Sequence, residues 1–141
     1  MGVREAVAAA ERLRDALAGE AEAARSERRP IRELDSGGLW ARAAARTAFL
    51  ERARGLEREL SAELSLLGEA RGPVLPALLA EIRSLAAGLR VLDGVNRRLA
   101  SEALRFVRGH LGALRPAPTG YDRRGVRAGP EALGATVSRR V

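Results

Sequence analysis

The chain has 141 residues, enough for one domain with a modest core, and 46% of them are apolar while only 3% are aromatic. It has no cysteine, which excludes disulfides, thiolate metal sites and cysteine nucleophiles. The net charge is +7, and every one of the 25 basic residues is arginine. The basic residues do not form a dense block of the kind that would indicate a nucleic-acid-binding protein.

The beginning of the sequence argues against export. The segment MGVREAVAAAERLRD contains acids and arginines, where a signal peptide needs an unbroken apolar run. No uncharged stretch in the first 115 residues approaches the length that crosses a bilayer. We therefore expect a soluble cytoplasmic protein without membrane insertion.

A first helix is predicted over about residues 3–25, because apolar residues recur there at spacings of three and four. Its inward stripe is Val3, Val7, Ala10, Leu13, Leu17, Ala21 and Ala24. The following segment, SERRPIRELDSGG, is expected to break the helix through Pro30 and two glycines. Glu20 and Glu22 fall on different faces of the helix among arginines, which predicts that they are solvated.

A second helix is predicted from about residue 39 to residue 68 or 70, with Asp35 or Ser36 as its N-terminal cap. The expected inward stripe is Leu39, Ala43, Phe49, Leu50, Ala53, Leu56, Leu60, Leu64 and Leu67. The segment GEARGPVLP then turns the chain, because its glycines end one helix and Pro73 or Pro76 opens the next.

The third predicted helix, about residues 74–114, has the most regular pattern. Five heptads of apolar steps predict a coiled-coil seam. The seam residues are Leu75, Leu78, Ile82, Leu85, Leu89, Leu92, Asn96, Leu99, Ala103, Phe106 and His110. Asn96 either fixes the register of the pairing or hydrogen-bonds to a partner chain. His110 has no companion ligand or nucleophile, which indicates a structural role or a contact with a partner.

The predicted fold class is all-α, a three-helix antiparallel coiled-coil-like bundle with a disordered C-terminal tail. Residues 1–115 form the helical domain. We expect residues 116–141 to form a flexible tail, because their Pro, Gly and Arg content cannot bury enough apolar surface to offset the entropy of ordering. We find no catalytic pair, metal-ligand spacing or phosphate-binding loop, and therefore expect no enzymatic activity, cofactor or metal.

The third helix has more apolar side chains than one neighbouring helix needs. Leu104, Val107, Leu111 and Leu114 widen the stripe beyond the seam. Two interpretations stay open. These residues complete a core that covers two sides of the helix, or they line a groove that receives an amphipathic helix from another protein.

The segment LDGVNRRLASEALRFVRGHLGAL, with the proline-rich break and TGYDRRG that follow it, resembles the FlgN family of flagellar type III export chaperones. That family has an Asn-x-x-Asn pair, an aromatic residue a few turns later and a Tyr-x-x-x-Gly tail. Asn96, Phe106, Tyr121 and Gly125 fall in those places. Asp93 stands where the first asparagine would be.

The resemblance implies a cytoplasmic chaperone that binds the C-terminal helical region of hook-associated (hook–filament junction) proteins, prevents their premature assembly and delivers them to the type III export gate. Client binding is expected in the third-helix region, at Leu99, Leu104, Phe106, Val107, Leu111 and Leu114. Docking on the cytoplasmic domain of the export-gate membrane protein is expected at Tyr121, Arg123, Arg124 and Gly125.

Two other classes of function are possible. A coiled-coil assembly protein of a secretion apparatus would use the third helix for self-association. A basic nucleic-acid-binding module would use Arg83, Arg90 and Arg97, which recur every seven residues and could track phosphates. The sequence has no interleaved aromatics and no recognised DNA-binding motif, so we expect no nucleic-acid partner.

Overall fold

A computed structural model of the chain describes residues 2–114. These residues form four helices and no strand: α1 (Gly2–Ser26), α2 (Arg28–Glu33), α3 (Ser36–Leu67) and α4 (Val74–Ala113). The predicted all-α bundle of three long helices is confirmed. The predicted tail over 116–141 lies outside the described residues. Among the helices of residues 2–114, none combines the length and apolarity that a membrane crossing requires.

The short helix α2 occupies the segment that was predicted to be only a break. Pro30 is its third residue, where the backbone N–H of a helix has no partner within the helix, so proline is tolerated. The helix ends at Leu34, whose φ of 54° is left-handed. The Leu34 N–H donates to Ile31 O (3.3 Å) and the Asp35 N–H to Pro30 O (2.9 Å), which is a Schellman motif.

Asp35 caps α3, which decides between the two predicted cap residues. Its Oδ1 accepts a hydrogen bond of 3.0 Å from the Gly38 N–H, so one of the free donors at the start of the helix is satisfied. A Cβ at position 38 would lie 2.5 Å from Asp35 Oδ2 and 3.3 Å from Pro30 Cβ. The absence of a side chain at Gly38 therefore allows this close approach.

Contacts between side chains fix the directions of the long helices. The contacts are Arg12–Glu59 and Glu20–Arg46 between α1 and α3, Arg46–Asp93 between α3 and α4, and Ala24–Asn96 between α1 and α4. Early residues of α1 thus meet late residues of α3, whereas α1 and α4 advance together. The helix α3 is antiparallel to both of the others.

The core is built on small residues of α1. Its buried members are Ala6, Ala9, Ala10, Leu13, Leu17 and Ala24 of α1, Phe49, Ala53 and Leu60 of α3, and Leu75, Leu78 and Leu89 of α4. The alanines of α1 let the backbone of α3 approach closely. Val3 is 36% exposed, so its predicted inward position is wrong, and Ala6 and Ala9 are buried instead.

The inward stripe predicted for α3 is wrong at Ala43 and Leu50, which are exposed, whereas Phe49 is buried as predicted. Arg42 and Arg46 face inward in the same half of the helix and form ion pairs with Glu20. Paired charges together with Phe49 therefore determine which side of this half faces the bundle.

The seam of α4 is buried along only part of its length. Leu75, Leu78, Leu89 and Asn96 are buried, but Phe106 and His110 are exposed, so the five-heptad prediction fails at its end. Helix α1 has 25 residues, about 37 Å, whereas α4 has 40, about 60 Å. The shorter helix cannot cover all of the longer one.

Replacing Leu34 by glycine is expected to raise the free energy of unfolding by roughly 0.5–1 kcal/mol, because glycine adopts positive φ without the steric cost that leucine has there. Leu34 is 47% exposed, so little burial is lost. Urea unfolding measures the change. The control is Ala62→Gly at an exposed position inside α3, which should lower stability by about 1 kcal/mol. Equal losses for both variants would contradict the strain at Leu34.

Candidate partner-binding surface

The last three turns of α4 expose a continuous apolar surface. The chain divides into two units, Met1–Ala103 and Leu104–Val141, and these turns belong to the second. We call this surface the distal face; it consists of Leu104, Phe106, Val107, Leu111 and Leu114. Four of them are 54% to 74% exposed and Val107 is partly exposed. Several neighbouring apolar side chains that are exposed to solvent indicate an interaction site more often than an ordinary solvated surface.

An aromatic pair strengthens the distal face. The rings of Phe106 and His110 lie one helical turn apart, with centroids 4.5 Å from each other and planes tilted by 39°. Both side chains are exposed. Since the two rings stack on each other and stay in contact with solvent, they add flat apolar area to the surface.

The charges beside the distal face have one sign. Arg105 and Arg108 lie between Leu104 and Leu114, and this stretch has no acidic residue. Both arginines are exposed, and neither forms an ion pair with another described residue. The surface is therefore apolar with positive charge along one side, which suits a partner that has acidic residues beside its own apolar stripe.

The other predicted contact residues fall elsewhere. Leu99 is half-buried in the first unit and does not belong to the distal face. The residues predicted to dock on the export gate, Tyr121, Arg123, Arg124 and Gly125, lie outside the described residues.

A cluster of buried charges holds the three long helices together in the first unit. Glu20 of α1 is only 6% exposed, so the prediction that it is solvated is wrong. Its Oε1 accepts hydrogen bonds from Arg42 and from Arg46 Nη1 (2.8 Å). Arg46 also donates to Asp93 of α4. We call Glu20, Arg42, Arg46 and Asp93 the charge cluster.

Asn96 bonds within the chain, next to the charge cluster. Its Nδ2 donates to Ala24 O (2.7 Å) and to Glu27 Oε2 (3.3 Å). The short distance to a carbonyl oxygen identifies this atom as the nitrogen of the amide. Asn96 is 4% exposed, and a misplaced register would leave its amide unpaired. The geometry agrees with the register role rather than with a bond to another chain.

A cleft of about 410 Å³ opens beside Asn96, lined by Glu27, Leu39, Arg42, Ala43, Arg46, Asp93, Asn96, Arg97 and Ala100. Most of its charged side chains already pair with one another. Among the described residues, no group of three or more His, Asp or Glu side chains is arranged to hold a metal ion.

The sequence did not indicate that Arg42 and Arg46 would be half-buried, because an arginine in a helix is normally solvated. The two arginines are four residues apart, so they lie on one face of the helix. This spacing is the one sequence feature that could have indicated their shared inward position. The exposure of Trp40 was not predicted either. This residue, the only tryptophan of the chain, is 77% exposed on the outer side of α3.

Comparison of the chain with protein-family models, with curated proteins and with solved structures gives no significant match. The resemblance to the FlgN family is carried by the motifs of about residues 89–125 alone.

Replacing Glu20 by glutamine is expected to lower the free energy of unfolding by about 3 kcal/mol, because two largely buried guanidinium groups lose their shared counter-charge. Chemical denaturation measures the loss. The matched control is Glu22→Gln, which removes an exposed pair with Arg25 and should change stability by about 0.5 kcal/mol or less. If the two variants are equally stable, the charge cluster does not hold the bundle.

Proposed function

We propose that the chain is a helical export chaperone, and that its distal face binds an amphipathic helix of a client protein. The observation that supports this proposal is the exposure of Leu104, Phe106, Leu111 and Leu114 on consecutive turns at the end of α4. An apolar stripe of this kind is what a helix-in-groove or helix-on-helix contact uses.

The resemblance to the FlgN family gives the proposal its biological form. The clients are hook-associated proteins, bound through their C-terminal helical region and held until they reach the type III export gate. In this proposal the protein acts in the cytoplasm and has no catalytic role.

The charges favour a client over a second copy of the same helix. Arg105 and Arg108 lie beside the distal face, and no acidic residue lies between Leu104 and Leu114. Two copies joined through this face would bring like charges together, whereas a client helix with acidic flanks would be attracted. Self-association through the end of α4, the other function considered, is thus disfavoured by electrostatic repulsion.

The double variant Leu104→Gln, Leu111→Gln is expected to weaken client binding at least about 100-fold. The reason is that burial of each leucine in the complex would stabilise it by roughly 1.5–2 kcal/mol. Circular dichroism and the unfolding midpoint should stay close to those of the wild type, since both leucines are more than half exposed. Calorimetric titration with the C-terminal helical segment of a hook-associated protein measures the affinity.

The control for this experiment is Leu66→Gln, at a position of α3 that is 80% exposed and outside the distal face. It should bind the client segment with unchanged affinity. Unfolding of the double variant would mean that Leu104 and Leu111 belong to a core. Failure of the wild-type chain to bind any hook-associated segment would refute the proposal itself.

The export-gate contact is proposed from the sequence resemblance alone. Tyr121→Ala is expected to weaken binding to the cytoplasmic domain of the gate protein by about 30-fold, the usual effect of removing an aromatic anchor from an interface. Its client affinity and unfolding temperature should not change. Parallel titrations with the gate domain and the client segment test this separation. Equal losses of affinity for both partners would contradict it.

A further inference from the structure

The outer side of α3 has an exposed face that nothing in the described residues covers. We call it the α3 face; it consists of Trp40, Ala43, Ala44, Thr47, Ala48 and Leu50, all exposed. Trp40 is 77% exposed and Leu50 is 41% exposed. A bulky aromatic residue left in water beside small apolar neighbours is typical of a protein–protein interface.

The α3 face owes its character to the charge cluster. Arg42 and Arg46 face inward and pair with Glu20, so neither of them points to solvent on the outer side. Between Asp35 and Glu51 these two arginines are the only charged residues, and neither is classed as exposed. Four turns at the start of a surface helix are therefore free of charge on the outside.

This absence of charge favours a second copy of the same chain as the partner. With a net charge of +7, two copies repel each other at most approaches, because arginines are spread over the sequence. Two α3 faces can meet without placing any arginine of one copy against an arginine of the other. An antiparallel arrangement also opposes the dipoles of the two helices.

The two ends of the α3 face complement each other in charge. Ser36 and Gly37 begin α3, where backbone N–H groups without a helical partner carry the positive end of the helix dipole. Glu51 lies directly after the other end of the face, is exposed, and forms no ion pair with another described residue. In an antiparallel pair of α3 helices, the carboxylate of each copy would lie beside the helix start of the other.

We propose that the α3 face binds the α3 face of a second copy of this chain, in an antiparallel pair about a two-fold axis between residues 43 and 44. The register follows from placing Glu51 of one copy opposite Ser36 of the other. The remaining opposed pairs are then Ala43 with Ala44, Trp40 with Thr47, and Gly37 with Leu50.

The sizes of the side chains fit this arrangement. The residues nearest the axis are alanines, so the two helices can approach to about 8 Å at their crossing. Each large side chain lies opposite a small residue, Trp40 opposite Thr47 and Leu50 opposite Gly37. The face is thus complementary to itself in shape as well as in charge, as an isologous contact requires.

The length of the α3 face sets the strength of the dimer. Residues 36–51 span about 24 Å of helix, which buries less surface than a standard protein–protein interface. We therefore expect a reversible dimer with a micromolar dissociation constant. This contact uses α3, so it does not depend on the proposed client binding by the distal face.

Sedimentation equilibrium of the full chain, from about 5 to 500 µM, brackets a weak dimer of this interface size. The wild type is expected to pass from monomer to dimer over this range. Trp40 is the only tryptophan, so its fluorescence should shift to shorter wavelength over the same concentrations. A chain that stays monomeric throughout overturns the proposal.

Substitutions separate this interface from any other. Trp40→Ala should raise the dissociation constant about 30-fold or more. Glu51→Arg and Ser36→Glu should each raise the dissociation constant about 10-fold at low salt. Glu51→Arg places a positive charge beside the N-terminus of α3 in the other copy. Ser36→Glu places a carboxylate opposite Glu51 of the other copy, and each effect occurs at both ends of the contact. The double variant places opposite charges face to face again, and should restore the wild-type value within a factor of about 3.

The controls are Glu57→Arg, which changes the net charge as Glu51→Arg does but lies beyond the α3 face, and Val91→Ala on α4. Both positions are exposed, and neither substitution should change the dissociation constant by more than about 2-fold. Helical content of every variant is checked by circular dichroism. If the double variant is as weak as the single ones, or if the controls weaken the dimer equally, the proposed antiparallel contact is wrong.

Discussion

Two arginines of α3 lie inside the bundle, and the fold of the first unit depends on the carboxylates that pair with them. Arg42 and Arg46 could not leave water without counter-charges, because an unpaired buried charge costs several kcal/mol. Glu20 comes from α1 and Asp93 from α4, so the pairing joins all three long helices. An apolar core tolerates sliding more readily, whereas the ion pairs of this cluster and the hydrogen bond from Asn96 Nδ2 to Ala24 O form in one register.

This register also decides which surfaces stay exposed. Turning Arg42 and Arg46 inward leaves the outside of α3 with Trp40 and a row of small residues. The exposed apolar side of α3 therefore follows from the charge cluster.

The sequence predicted the parts of the fold that depend on local pattern. Helix-breaking residues and steps of three and four placed the three long helices nearly correctly, and Asp35 was a foreseeable cap. The pattern did not reveal α2, because a proline in the first turn looks like a break. It could not reveal the burial of Glu20 either. The residues next to Glu20 in the sequence do not show that its carboxylate pairs with arginines of another helix. The exposure of Phe106 is a tertiary property, which the apolar spacing of α4 does not encode.

The central claim is that the distal face binds a client helix without disturbing the bundle. Amide hydrogen exchange of the full chain, with and without the C-terminal helical segment of a hook-associated protein, tests it most directly. Added protection is expected over residues 104–113, while the amides of α1 and of the buried part of α4, already protected by the core, exchange at unchanged rates. Protection concentrated in residues 75–96, or unchanged exchange over 104–113 in the saturated complex, would contradict it.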